Sequence, residues 1–221
     1  MSSIVVSGDT SGSVTLSAPA IANTTVLTLP SVSGTVLTSA TGQTLTSPTI
    51  TSPTITGAVI SAMASSILTS GTAVASTSGT SIDFTGIPSW AKRITVMFNG
   101  VSTNGTSNLL IQIGSGSVAA SGYLGGSSNL SSGGVTTTLY TTGFGIRGYD
   151  TASFLMVGSI SIKLLSGFIY SADGVLANSI GNVTNTTAGN VTLTGVLDRI
   201  RITTVNGTDT FDAGSINILY E

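Results

Sequence analysis

Apolar residues along the chain recur at two distinct spacings. The first is strict alternation. Ile94, Val96 and Phe98 alternate with Arg93, Thr95 and Met97, and Leu109, Ile111 and Ile113 alternate with Leu110 and Gln112. Successive side chains of a strand point to opposite faces, so each run predicts a strand with one buried face. The same pattern predicts strands over 154–164, 168–170, 191–193, 197–203 and 215–220. In the first of these, Gly158 shares the apolar face and predicts a bulge or a close backbone approach. Asn99-Gly100, Asn104-Gly105, Gly133-Gly134, Asp173-Gly174 and Asn206-Gly207 read as turns between strands. No stretch keeps a 3.6-residue period over three turns, so no helix is predicted.

The second spacing is five. Residues 44–60 repeat Ser-Pro-Thr-Ile-Thr, placing Leu45, Ile50, Ile55 and Ile60 in register, with Pro48 and Pro53 between them. In a flat strand, residues five apart face opposite ways. Proline also removes a ladder donor and fixes φ. The tract is therefore expected to bend or wind, with its isoleucines covered by identical chains. The competing reading is a Ser/Thr/Pro linker. Shorter alternations precede it: Val14-Thr15-Leu16, Val26-Leu27-Thr28-Leu29 and Val36-Leu37-Thr38.

Composition divides the chain. Asp9 is the only ionisable side chain before residue 81, and every aromatic residue, Lys and Arg follows that point. The expected organisation is an N-terminal stalk segment over 1–62, a linker over 63–80 with a short strand near 68–75, and a β-sandwich knob over 81–221. About eight strands in the knob suggest a jelly roll. The fold class is thus all-β: an extended, winding N-terminal segment, then an antiparallel jelly-roll-like sandwich, as a homotrimer.

Charge narrows function. Charged residues make up 6% of the 221, with six basic and eight acidic groups and a net charge of −2. Nucleic-acid binding would need clustered Lys and Arg to offset phosphates. There is no Cys and no His, which removes thiolate metal sites, disulfides, Cys–His or Ser–His catalysis and the commonest general base. The expectation is no enzyme, no cofactor and no metal. The N-terminus lacks a basic n-region followed by an apolar run, and no segment is apolar over ~18 residues, so neither a secretory signal nor a membrane insertion is expected.

Three stretches resemble fibre proteins of tailed-bacteriophage virions. Thr25-Val-Leu-Thr-Leu-Pro-Ser-Val-Ser-Gly-Thr-Val-Leu-Thr38 is similar to their N-terminal segments. Ile82-Asp-Phe-Thr-Gly-Ile-Pro-Ser-Trp-Ala-Lys-Arg-Ile-Thr-Val-Met-Phe98 is similar to the opening of their C-terminal knobs. Asp209-Thr-Phe-Asp-Ala-Gly-Ser-Ile-Asn-Ile-Leu-Tyr220 resembles the closing strand. The resemblance implies a homotrimeric virion component made in the host cytoplasm. Residues 1–62 would then be the virion-attachment and stalk segment that joins another virion protein, and the knob would meet host-surface polysaccharide. A capsid decoration protein is the second reading, and a glycan depolymerase the third.

Candidate contacts follow. Tyr140, Phe144, Arg147, Tyr149 and Asp150 combine aromatic and planar polar groups in one loop-like segment, suited to stacking on sugars and bonding their hydroxyls. Leu45, Ile50, Ile55 and Ile60 are expected at the trimer interface. Arg199 and Arg201 share the outward face of their strand, which places them at the interface, in a ligand groove or in solvent. Asp198 falls on the opposite face and calls for an ion pair or a strand-end cap. Asp209 and Asp212 read as loop caps, and Trp90 as a core plug or, if exposed, a stacking platform.

Overall fold

A computed structural model describes residues 3–7, 13–17, 68–148, 151–180 and 182–221, and they contain strands and no helix. Packing divides the chain into two units, 1–59 and 60–221. In the first unit, β1 (Ser3–Ser7) pairs antiparallel with β2 (Ser13–Ser17). The alternation at 14–16 thus forms a strand. The segments at 26–29 and 36–38 and the pentapeptide tract, with Leu45, Ile50, Ile55 and Ile60, lie outside the described residues.

The second unit opens with β3 (Thr69–Ser70), β4 (Val74–Ala75), β5 (Ile82–Thr85), β6 (Arg93–Thr103), β7 (Leu109–Ser115) and β8 (Ser117–Val118). There follow β9 (Leu124–Ser131), β10 (Gly134–Leu139), β11 (Phe144–Ile146), β12 (Met156–Ser166) and β13 (Ile169–Asn178). It closes with β14 (Val183–Thr192), β15 (Arg199–Thr204) and β16 (Phe211–Tyr220). The large sheet runs β10-β9-β14-β13-β12-β6-β16-β3, with β4 also on β16. The small sheet runs β11-β7-β15-β5, with β8 on β7. The chain changes sheet at β4–β5, β5–β6, β6–β7, β8–β9, β10–β11, β11–β12, β14–β15 and β15–β16, so both sheets are stitched from distant segments. Because β3 and β4 pair with β16, Thr69–Ser70 and Val74–Ala75 belong to the large sheet, and the short strand expected near 68–75 is two short strands on its edge.

The core lies between the sheets. From the large one come Ile94, Val96, Ile160, Ile162, Ile216 and Ile218, and from the small one Ile111, Ile113, Phe144, Ile200 and Ile202, all in one cluster. The rows are built by register: Ile160 lies beside Val96 and Val96 beside Ile218, while Ile202 sits between Ile111 and Ile82. This is a β-sandwich, as the alternating runs predict.

Two expected turns are strand interiors. Asn99-Gly100 lies within β6, between β12 and β16. Met156 pairs with Val101 but Gly158 with Phe98, so β6 carries one extra residue there. Gly100 takes a positive φ of 63°, and the dipeptide makes a bulge instead of a hairpin. Gly158, opposite, marks the irregularity that its position predicts. Asp173-Gly174 lies mid-way along β13, paired with β12 and β14. A Cβ on Gly174 would sit 2.4 Å from the Ser159 carbonyl oxygen, so glycine there permits close sheet packing. Asp173 is ion-paired to Lys163. Gly133-Gly134 does turn the chain, between β9 and β10.

Buried tyrosines join loops to the core. The Tyr123 hydroxyl accepts from the Ile113 amide at 2.8 Å and donates to the Ala119 carbonyl at 3.1 Å. Its ring meets Phe144 edge-on at 5.0 Å. Burial pushes the Tyr123 pKa up from 10.0 to about 12, the hydrogen bond from the Ile113 amide acting the other way. A raised folded-state pKa favours the protonated fold. The contribution is therefore complete below pH 10 and lost as pH climbs towards 12, by up to ~2.7 kcal/mol at ~1.36 kcal/mol per unit. Urea unfolding at pH 9 and 11.5 should show this loss in the natural chain. Tyr123→Phe should flatten it, and an unchanged alkaline loss in that variant would refute the assignment.

Candidate functional site

Alternation along β5 and β15 turns Asp83, Arg199 and Arg201 to the outer face of the small sheet, opposite the buried Phe84, Ile200 and Ile202. Arg201 faces Asp83 across the β15–β5 pair. The guanidinium forks onto the carboxylate, Nε to Oδ1 at 2.7 Å and Nη2 to Oδ2 at 3.2 Å. The Ser81 hydroxyl adds a third bond to that carboxylate at 3.0 Å. One step along, Arg199 forks onto Asp198 at 2.8 and 3.3 Å. Asp198 also accepts the Gly116 amide at 3.1 Å, so it pairs with Arg199 and caps the β7–β8 turn. The Arg199 hydrogen bond, more than any other influence, holds the Asp198 carboxyl below its usual range. Both arginines are satisfied within the chain, and both pairs are open enough to water to add little to stability.

Beside Arg201 lies a hollow of about 370 Å³, lined by Thr80, Leu110, Gln112, Arg201, Thr203 and Val205 among others. Gln112 is steadied by its Nε2 bond to the Thr142 carbonyl at 2.8 Å, and Thr203 by its Oγ1 bond to the Thr80 carbonyl at 2.8 Å. The volume falls in the ordinary range for small-ligand sites, roughly 300–1,000 Å³. Its lining mixes hydroxyls, two amides and a guanidinium with three aliphatic side chains. Such a surface can hold an uncharged polyhydroxylated molecule. It offers no activated nucleophile, and among the described residues no three His, Cys, Asp or Glu side chains group as metal ligands.

The loop-like segment at 140–151 is differently placed. Tyr140 and Phe144 are 6% and 3% exposed, so neither presents a ring to a receptor. Phe144 opens the three-residue strand β11 and faces inward onto Tyr123. Arg147 is half-buried. Its Nε donates to Thr136 Oγ1 at 3.0 Å and its Nη1 to Thr138 Oγ1, which ties it to β10. Tyr149 and Asp150 lie outside the described residues. Trp90 is no core plug: it is 44% exposed and leans on Tyr220 at 5.6 Å, next to the Arg93–Glu221 ion pair. Asp209 caps its loop as expected, accepting the Ser107 amide at 2.9 Å and Asn206 Nδ2 at 2.6 Å. Asp212 accepts the Ser102 hydroxyl.

Asp83 is the site residue that sequence reasoning passed over. Its place between Ile82 and Phe84 marked it as outward-facing, but its partner lies 118 residues further on. Comparison with protein-family models, curated proteins and solved structures found no match.

Proposed function

We propose that the chain is a structural component of a bacteriophage particle. It is a homotrimeric fibre, joined to the particle by its N-terminal segment, with the knob adsorbing to host-surface glycans. One observation carries this reading: a nearly uncharged tract with isoleucines in five-residue register is joined to a sandwich with jelly-roll strand order. In the large sheet, β3/β4, β16, β6 and β12 are neighbours, and in the small sheet β5, β15, β7 and β11. That is the eight-strand jelly-roll arrangement, with hairpins β9–β10 and β13–β14 extending one sheet. The architecture serves in capsid and lectin domains. One apolar residue in five is too sparse to make a core within a single chain, and trimerisation would supply the apolar cover. Three weak glycan sites give avidity. The hollow beside Arg201 and the exposed Trp90 replace Tyr140 and Phe144 as the glycan-facing groups.

A capsid decoration protein is the second reading, favoured by the short tract, which reaches only ~50 Å at ~3.3 Å per residue. Depolymerase chemistry would need a carboxylic acid with a raised pKa, whereas Asp198 is shifted the other way. Particles carrying a chain truncated after residue 68 discriminate these readings. A fibre predicts assembled particles that no longer adsorb. A decoration protein predicts particles that adsorb but lose heat or osmotic resistance. Shortening of capsular polysaccharide by the purified protein would favour the enzyme.

A further inference from the structure

The two outer faces of the sandwich differ in chemistry. The small sheet carries Asp83, Arg199 and Arg201. The five strands β10, β9, β14, β13 and β12 together hold two charged residues, Lys163 and Asp173, and these neutralise each other. No Asp, Glu, Lys or Arg occurs from residue 94 to 146. Strand β10 is the edge of the large sheet, and five of its six residues are exposed.

Register places the exposed apolar groups on one face. Val135 lies beside Leu130, Leu130 beside Thr184, and Thr184 beside Ala177. Two residues along, Thr137, Ser128, Thr186 and Val175 form the next row, and Leu139, Gly126 and Ala188 the one after. The intervening row, Asn129, Asn185 and Leu176, points inward and is buried. On the outer face Leu139 is 85% exposed, Leu124 67%, Val135 66%, Val175 52% and Leu130 44%.

An edge strand with free N–H and C=O groups is a template for pairing, and soluble proteins blunt such edges with Lys, Pro, bulges or a covering element. Strand β10 has no lysine, no proline and no bulge against β9. Five strands ~4.8 Å apart, over the eight residues of β9 at ~3.4 Å, present a face of roughly 650 Å². That approaches the ~800 Å² per partner of a stable protein–protein interface. A strongly charged partner would find no counter-charge here. A second copy of the same neutral, Thr- and Ser-rich face with protruding Leu and Val would be complementary.

We infer that the β10 edge and the adjoining outer face of the large sheet form the contact between knobs of neighbouring copies. The inference rests on the oligomeric reading above and gives it a surface. It also moves the knob interface away from Arg199 and Arg201, whose guanidinium groups are already engaged by Asp198 and Asp83.

The chain has no cysteine, so single thiols report local cover. In the purified full-length chain, Thr137→Cys (β10) and Thr85→Cys (outer face of the small sheet) would be labelled with a maleimide, and each variant's mass measured by sedimentation. The expected result is an oligomer in which the β10 thiol reacts at least ten-fold more slowly than the β5 thiol. Adding Val135→Glu and Leu139→Glu, both exposed substitutions, should bring the two rates together. Equal rates in an oligomer would overturn the inference and leave the trimer standing. A monomer with equal rates would remove both. Slow labelling of the β10 thiol in a monomer would mean that the chain covers its own edge, and would also overturn the inference.

Discussion

Gly158→Ala should lower the unfolding free energy by about 3 kcal/mol or more, whereas Gly133→Ala should change it by under ~0.5 kcal/mol. Gly158 adopts a φ of 131°, a conformation that costs an L-residue roughly 1–3 kcal/mol. An added Cβ would also stand 2.5 Å from the Val175 carbonyl oxygen and 2.9 Å from Leu176 Cα. Both obstacles are backbone of the paired strand β13, so neither can swing aside. Relief would require β12 and β13 to separate at the bulge where β12 meets β6. Gly133 sits in the β9–β10 turn, where a Cβ would meet only the Ser131 hydroxyl, at 3.7 Å. Urea unfolding of both variants at one protein concentration checks the difference. A Gly158→Ala midpoint equal to that of the natural chain would show that the close approach of β12 and β13 is not a constraint.

Phe211→Ala should cost about 3–5 kcal/mol, the range for deleting a buried phenyl ring. Phe211 is 1% exposed, belongs to the shared core and begins β16. Its backbone amide donates to the Gly79 carbonyl at 2.9 Å, so the ring and the strand start are fixed together. Strand β16 in turn pairs with β6, β3 and β4. The loss should therefore loosen the segment at 69–75 as well as the core. Hydrogen exchange should quicken at Gly71 and Ser76, whose amides donate to Ile218 and Gly214 carbonyls. A loss under 1 kcal/mol would mean that neighbouring side chains collapse into the space.

The strands readable from sequence are those with an apolar inward face and a polar outward one. β6, β7, β12, β15 and β16 each carry at least two of Ile, Val or Phe at alternate positions facing the core, such as Ile94/Val96/Phe98, Ile111/Ile113, Ile160/Ile162, Ile200/Ile202 and Ile216/Ile218. β9, β10 and most of β14 were not readable. Their inward positions include Asn129, Asn185 and Thr187, and their apolar residues point outward, so the alternation carries the opposite sign or vanishes. Asp173-Gly174 and Asn99-Gly100 show the limit of local signals. Each can make a turn, but pairing with strands on both sides holds each extended, and only contacts distant in sequence decide that. At the site, alternation placed Arg199 and Arg201 outward correctly. Burial of Tyr140 and Phe144 was not legible, because β11 is three residues long and shows no period.

The scarcity of basic residues has a consequence for durability. Trypsin-like proteases cut after Lys or Arg, and the first such residue is Lys92. Residues 1–91 therefore contain no site for these enzymes. Beyond that point Arg93, Lys163, Arg199 and Arg201 lie inside paired strands, the Lys92 amide donates to the Glu221 carbonyl at 2.6 Å, and Arg147, just after β11 and outside any strand, is held through its side chain by the Thr136 and Thr138 hydroxyls. A protease must draw several extended residues into its cleft, which at the four strand positions means pulling a strand out of a sheet. A trypsin-like protease meeting this chain would thus find its least protected site at Arg147, and the first 91 residues would survive it uncut.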